Sequence, residues 1–93
     1  MTWTWDEQKS QANKRKHRIS FAAAQYVFDD PLLLSRPDPY SGEERWQTIG
    51  AIDPLLLVVV HTWPEDEDTP GRIISARKAT PQERKDYEHG EFS

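Results

Sequence analysis

The run Leu55-Leu56-Leu57-Val58-Val59-Val60 restricts the fold more than any other segment. Six consecutive apolar residues, with no polar alternation, require a strand covered on both faces. The strand closes on His61, where burying an imidazole is costly. An acidic turn, Glu65-Asp66-Glu67-Asp68, leads to Arg72-Ile73-Ile74-Ser75-Ala76-Arg77-Lys78, which mixes core residues with three cations. A rigid strand pair tipped with histidine and arginine can present cations to phosphate groups.

The rest of the composition sets bounds on that hairpin's surroundings. A chain of 93 residues makes one domain, here residues 1–93 with a core spanning about residues 3–89. Only 35% of residues are hydrophobic and 30% are charged, so the core is thin: one sheet and one layer of helices. Cysteine is absent, which excludes disulfides and thiolate chemistry. The start, Met1-Thr2-Trp3-Thr4-Trp5-Asp6, has no apolar signal segment, and no run is long enough to cross a bilayer. The expectation is a soluble cytoplasmic protein with no membrane partner.

Net charge is −4, but the charges are segregated. Lys9, Lys14, Arg15, Lys16 and Arg18 lie in one stretch without an acid. Arg72, Arg77, Lys78, Arg84 and Lys85 lie in another, opposed only by Glu83. Acids gather at Asp29-Asp30, Glu43-Glu44, Glu65 to Asp68 and the tail. A basic face with acidic edges suits a polyanion, although solvated surface explains the same pattern.

Local signals mark the elements. Asp6 caps a helix over residues 7–17 that is almost wholly polar and must be anchored by Trp3, Trp5 and Ile19. Ser20 caps a second helix over 21–28, with Phe21, Ala24, Val27 and Phe28 as its apolar stripe, ended by Asp30-Pro31. Strands are expected at Leu32 to Leu34, Glu44 to Ile49, Leu55 to His61 and Arg72 to Ala79, after a possible short N-terminal strand. Thr80-Pro81-Gln82-Glu83 opens a last helix with a capping box and proline at its first position. Strands joined by short turns pair antiparallel. The fold class is α+β: a small antiparallel sheet with two N-terminal helices and one C-terminal helix packed on a single side.

His61 can act as a general acid or base, or serve as a hydrogen-bonded structural residue. Arg72, Arg77 and Lys78 can hold a phosphate or pair with Glu43 or Glu44. Alternation puts Arg72 and Arg77 on opposite faces, so only one shares His61's face unless a bulge intervenes. Lys9, Asn13, Lys16 and His17 share one helical face that can track phosphates. Tyr87, one turn beyond Glu83, can pack on the sheet, donate a proton or stack a base. No two histidines have ligand spacing, and no glycine-rich phosphate loop is present. An enzyme built on this chain is expected to need neither metal nor cofactor.

These blocks, in this order, resemble the BrnT family, ribonuclease toxins of type II toxin–antitoxin modules. The resemblance runs from Trp5-Asp6, Lys9 and Asn13 through Lys16-His17 and Ile19-Ser20-Phe21. It continues in Val27 to Pro31, Glu43-Glu44-Arg45 and Ile49-Gly50. Its most specific parts are Leu57-Val58-Val59-Val60-His61-Thr62 and Arg72 to Ala79, closed by Glu83-Arg84 and Tyr87. Two features depart from the family: Arg18 stands where a glycine often follows the Lys-His pair, and the turn after Thr62 is longer and more acidic. The resemblance implies a RelE-like fold and a translation-inhibiting endoribonuclease, expected from the residues above to need no metal. The 2′-hydroxyl of RNA would attack the adjacent phosphorus to leave a cyclic phosphate. The expected catalytic set is His61, Arg72, Arg77, Arg84 and Tyr87. Lys9, Lys16, His17, Arg45 and Lys78 would bind the RNA backbone. Implied partners are RNA and a cognate BrnA-like antitoxin, in a heterotetramer that binds operator DNA through the antitoxin. The competing function is a non-catalytic module that acts only through a protein partner. Direct DNA binding is disfavoured by the acidic net charge and the lack of a helix-turn-helix pattern.

Overall fold

The computed structural model describes residues 3–92. In chain order they form β1 (Trp3–Thr4), α1 (Glu7–His17), α2 (Phe21–Ala24), a 3-10 helix (Gln25–Asp29), β2 (Leu34–Pro37), β3 (Trp46–Ile52), β4 (Leu55–His61), β5 (Gly71–Lys78) and α3 (Pro81–His89). The five strands make one sheet in the order β1-β5-β4-β3-β2. The apolar run is therefore the central strand, with two strands on either side. The α+β class and the three helices agree with the sequence expectation.

Two parts of that expectation are corrected. The sheet is mixed, because β1 pairs with β5 in parallel while every other pairing is antiparallel. Short turns dictate antiparallel pairing, but β1 and β5 are separated by nearly the whole fold, and no turn constrains their direction. The helices also cover both faces of the sheet. Phe21, Ala24 and Val27 pack with Leu57, Val59, Ile73 and Ala76, whereas Tyr87 of α3 packs with Ile49, Leu56 and Val58. Since Leu56 and Leu57 point to opposite faces, α3 supplies the second cover that an unbroken apolar strand demands.

Smaller differences have local causes. The second helix tightens to 3-10 geometry after Ala24 rather than running on to Phe28. The first long strand starts at Leu34 instead of Leu32, whose side chain is 68% exposed, and it runs on through Arg36 and Pro37. Proline is tolerated there because β2 is an edge strand. Gly50 admits the 3-10 helix: a Cβ there would lie 2.7 Å from the carbonyl oxygen of Val27.

The polar helix α1 docks by hydrogen bonds rather than by apolar area. Asp6 accepts from the backbone N–H groups of Gln8 and Lys9, as its capping role requires. Asn13 is buried; its Nδ2 donates to the carbonyls of Ile19 (2.9 Å) and Ala76 (2.8 Å), and its Oδ1 accepts from Ala76 N (3.2 Å). Ser10, also buried, accepts from Phe21 N at 2.9 Å. A side-chain amide thus completes the backbone pairing of β5 where no further strand follows, satisfying groups that burial would otherwise penalise.

Candidate RNA-binding site

A bulge in the β4–β5 hairpin decides which charged groups meet. Val58 pairs with Arg77, Val59 with Ala76 and Val60 with Ser75, but His61 pairs with Ile73, so Ile74 is an extra residue. Paired residues share a face, so Arg77 lies with Val58 on the α3 side. His61 lies with Ile73, Val59 and Ala76 on the side of α1 and α2. Arg72, adjacent to Ile73, alternates onto the α3 side. The bulge therefore unites Arg72 and Arg77 on one face and leaves His61 on the other.

His61 has 0% exposure. Trp3, Phe28 and Trp63 surround its ring, with centroids at 5.3, 4.8 and 4.7 Å and all three edge-on. Nδ1 lies 3.0 Å from the carbonyl oxygen of Thr62 and Nε2 lies 2.6 Å from Thr48 Oγ1. A carbonyl can only accept, so Nδ1 carries the proton and Nε2 accepts from the Thr48 hydroxyl. Burial pushes the imidazole down to about 4, which keeps it neutral. Both nitrogens are satisfied inside the fold.

The α3 face carries an ion-pair network. Arg77 donates to Glu83 through Nη1 (2.6 Å) and Nη2 (2.9 Å), and Arg36 reaches the same carboxylate at 3.4 Å. The capping box is formed, with Thr80 and Glu83 exchanging hydrogen bonds. Arg77's hydrogen bonds hold the Glu83 carboxyl down at about 2. Tyr87 donates its hydroxyl to Asp30 Oδ2 at 2.6 Å, and that bond pushes the phenol up to about 12. Asp30 also accepts from Ala51 N, so Tyr87 ties α3 to the 3-10 helix and β3. Arg84 is exposed. At the far end of β5, Glu43 bridges Arg72 and Arg45, and Arg45 stacks over Tyr40 at 3.7 Å.

The expected residues that do converge are Lys16, His17, Arg77 and Lys78. Together with Arg18 and Thr80 they line an open basin between the end of α1 and the β5–α3 junction. Gln11, Lys14, Arg15 and Arg18 line an adjoining hollow that extends the basic surface along α1. Among the described residues Lys14, Lys16, Arg18 and Lys78 make no ion pair, so their charges face solvent. His61, Arg72, Arg84, Tyr87, Lys9 and Arg45 do not line the basin. Asn13, expected beside Lys9 and Lys16 on an outward face, points into the fold instead. No group of three His, Asp or Glu side chains among the described residues is placed to hold a metal ion.

Arg18 is the basin residue that sequence reasoning left out. Its signal was the departure at the position after Lys16-His17, because Arg18 caps α1 in the left-handed conformation with φ 64°. Glycine adopts that conformation without cost, and another residue is destabilised there by about 1 kcal/mol. Arg18→Gly is therefore expected to stabilise the fold by about 1 kcal/mol in denaturant titration. The same change should weaken binding of single-stranded RNA, because it removes a cation. Stability and affinity would move in opposite directions.

No described helix is long and apolar enough to cross a membrane. No curated protein matches the chain. Residues 5–83 match the model of a family described as "Ribonuclease toxin, BrnT, of type II toxin-antitoxin system".

Proposed function

The chain belongs to this BrnT family of ribonuclease toxins, and from that premise we propose that it is a metal-independent endoribonuclease whose substrate lies in the basin of Lys16, His17, Arg18, Arg77 and Lys78. The observation that carries this reading is the basin itself: on a chain of net charge −4, the unpaired Lys16, Arg18 and Lys78, with Arg77 beside them, surround a half-buried histidine at one solvent-open site. Phosphate contacts of this kind fix a nucleic acid by its backbone.

Cleavage begins with loss of the RNA 2′-hydroxyl proton to the imidazole of His17. The 2′-oxygen bonds to the adjacent phosphorus as the bond to the 5′-oxygen breaks. The departing oxygen takes a proton from the imidazolium or from a water held there. The products are a 2′,3′-cyclic phosphate and a free 5′-hydroxyl. Lys16, Arg18 and Lys78 stabilise the negative charge that grows on the non-bridging oxygens, together with the outward edge of Arg77. His61 is a framework residue in this scheme, because its ring reaches neither solvent nor the basin. Tyr87 and Glu83 hold α3, and with it the wall at Thr80. Arg72, farther along β5, and Arg45, just before β3 and joined to Arg72 through Glu43, can meet only a more distant part of the RNA, as can Lys9 and Arg84.

The partner that restrains such an activity is a BrnA-like antitoxin, in a toxin–antitoxin heterotetramer whose DNA contacts lie in the antitoxin. Translating RNA would be met in the cytoplasm. The test is incubation of purified protein with RNA in EDTA, followed by analysis of the product ends. Cyclic-phosphate ends are the expected result. Intact RNA, with antitoxin binding retained, would favour a non-catalytic binding module instead.

A further inference from the structure

The aromatic cluster around His61 does not stop at the core. Trp63 packs edge-on against the buried imidazole and also lies 6.4 Å from Trp46, centroid to centroid, with the rings tilted at 58°. Both tryptophans are half-buried, and with Glu44, Pro64 and Glu65 they line a notch at the end of the sheet. Glu43, next in sequence, is satisfied by Arg45 and Arg72. Glu44 and Glu65 differ: among the described residues their carboxylates make no hydrogen bond and no ion pair. The notch is thus two partly open indole rings between unpaired anions.

We propose that this notch is the anchor for a cationic segment of the antitoxin, with an arginine or lysine side chain lying across Trp46 or Trp63 and paired with Glu44 and Glu65. The inference rests on the antitoxin reading above. Indole rings attract a cation over their faces, and the attraction grows when both are withdrawn from water. Tryptophan and arginine are enriched at protein interfaces for that reason. Carboxylates at the rim add charge-assisted hydrogen bonds and exclude the wrong partner. RNA is such a wrong partner, since its phosphates would meet Glu44 and Glu65. A second copy docking notch to notch would set acid against acid. Because the notch lies outside the basic basin, anchoring there leaves the rest of the antitoxin to reach the substrate site.

The test uses the full chain, the antitoxin encoded beside it, and overlapping peptides of that antitoxin. Saturable shifts of the Trp46 and Trp63 indole N–H resonances are expected with an Arg- or Lys-bearing peptide. A Glu44→Lys/Glu65→Lys double variant, exposed at both sites, should bind intact antitoxin at least about tenfold more weakly and escape neutralisation. It should cleave RNA as the parent does. Unchanged antitoxin affinity in that variant would overturn the inference while leaving the antitoxin reading in place. The same indole shifts produced by single-stranded RNA would reassign the notch to base stacking. Concentration-dependent self-association abolished by the double variant would reassign it to a second copy. Failure of the parent to bind antitoxin at all, with RNA cleavage intact, would remove the partner reading and this anchor together.

Discussion

Replacing Lys16 and Lys78 together by glutamate is expected to lower the affinity for single-stranded RNA by at least about a hundredfold at moderate salt. Both side chains are exposed and unpaired, so the change removes two cations from the proposed phosphate contacts and introduces two repulsions. Removing one such cation also flattens the dependence of log affinity on log salt by about 0.7 for a single strand. Fluorescence anisotropy of a labelled RNA at a series of salt concentrations reads both effects. The fold should survive. An acid in the last turn of α1 opposes the helix dipole, a cost of about 1 kcal/mol or less. Lys78 lies at the end of β5, outside the buried core. The same pair of changes at Lys9 and Arg84, which lie away from the basin, should produce a much smaller loss.

The second large effect is on stability and belongs to His61. Burial drops its imidazole from 6.5 to about 4 in the folded state, so the unfolded chain binds a proton that the folded chain refuses. Stability is therefore at its full value above pH 6.5 and falls as pH drops from 6.5 toward 4. The loss amounts to about 3 kcal/mol over that window. Glu83 acts lower down. Its carboxyl, normally near 4.5, is held at about 2 by Arg77, so its contribution is present above 4.5 and disappears as pH falls toward 2. Decline above pH 4.5 thus reports mainly on His61. Urea titrations across that range should show a steep slope in the parent and a flat one in His61→Gln, since glutamine cannot take up the proton.

What the residues reveal in one dimension follows a clear division. Asp6, Ser20 and the Thr80–Glu83 capping box act within a turn of themselves, and each formed where its pattern placed it. The Leu55 to Val60 run demanded double cover, and it became the central strand. Asn13 and Ser10 were illegible as anchors, because their partners, Ala76 and Phe21, are brought to them only by the finished fold. The side taken by α3 was equally hidden; it depends on Arg77 and Glu83 meeting across the sheet face. One inserted residue, Ile74, controlled the relation of His61 to the two arginines. Strand alternation put one arginine on the face of His61, or both with a bulge; the bulge instead leaves both on the opposite face, because the register is set by packing on both faces. Arg18 carried a cation into the basin through a left-handed cap, for which the departure from glycine after Lys16-His17 was the one sequence signal.

The central claim is that the proton-transferring group lies in the basic basin and that the buried histidine serves the fold. Cleavage by His17→Gln and His61→Gln, compared at neutral pH with both proteins shown to be folded, tests it most directly. His17→Gln is expected to lose at least about a hundredfold in cleavage rate, with binding of RNA largely kept. His61→Gln should cleave within a few-fold of the parent. A folded His61→Gln that cannot cleave, beside an active His17→Gln, would contradict the account.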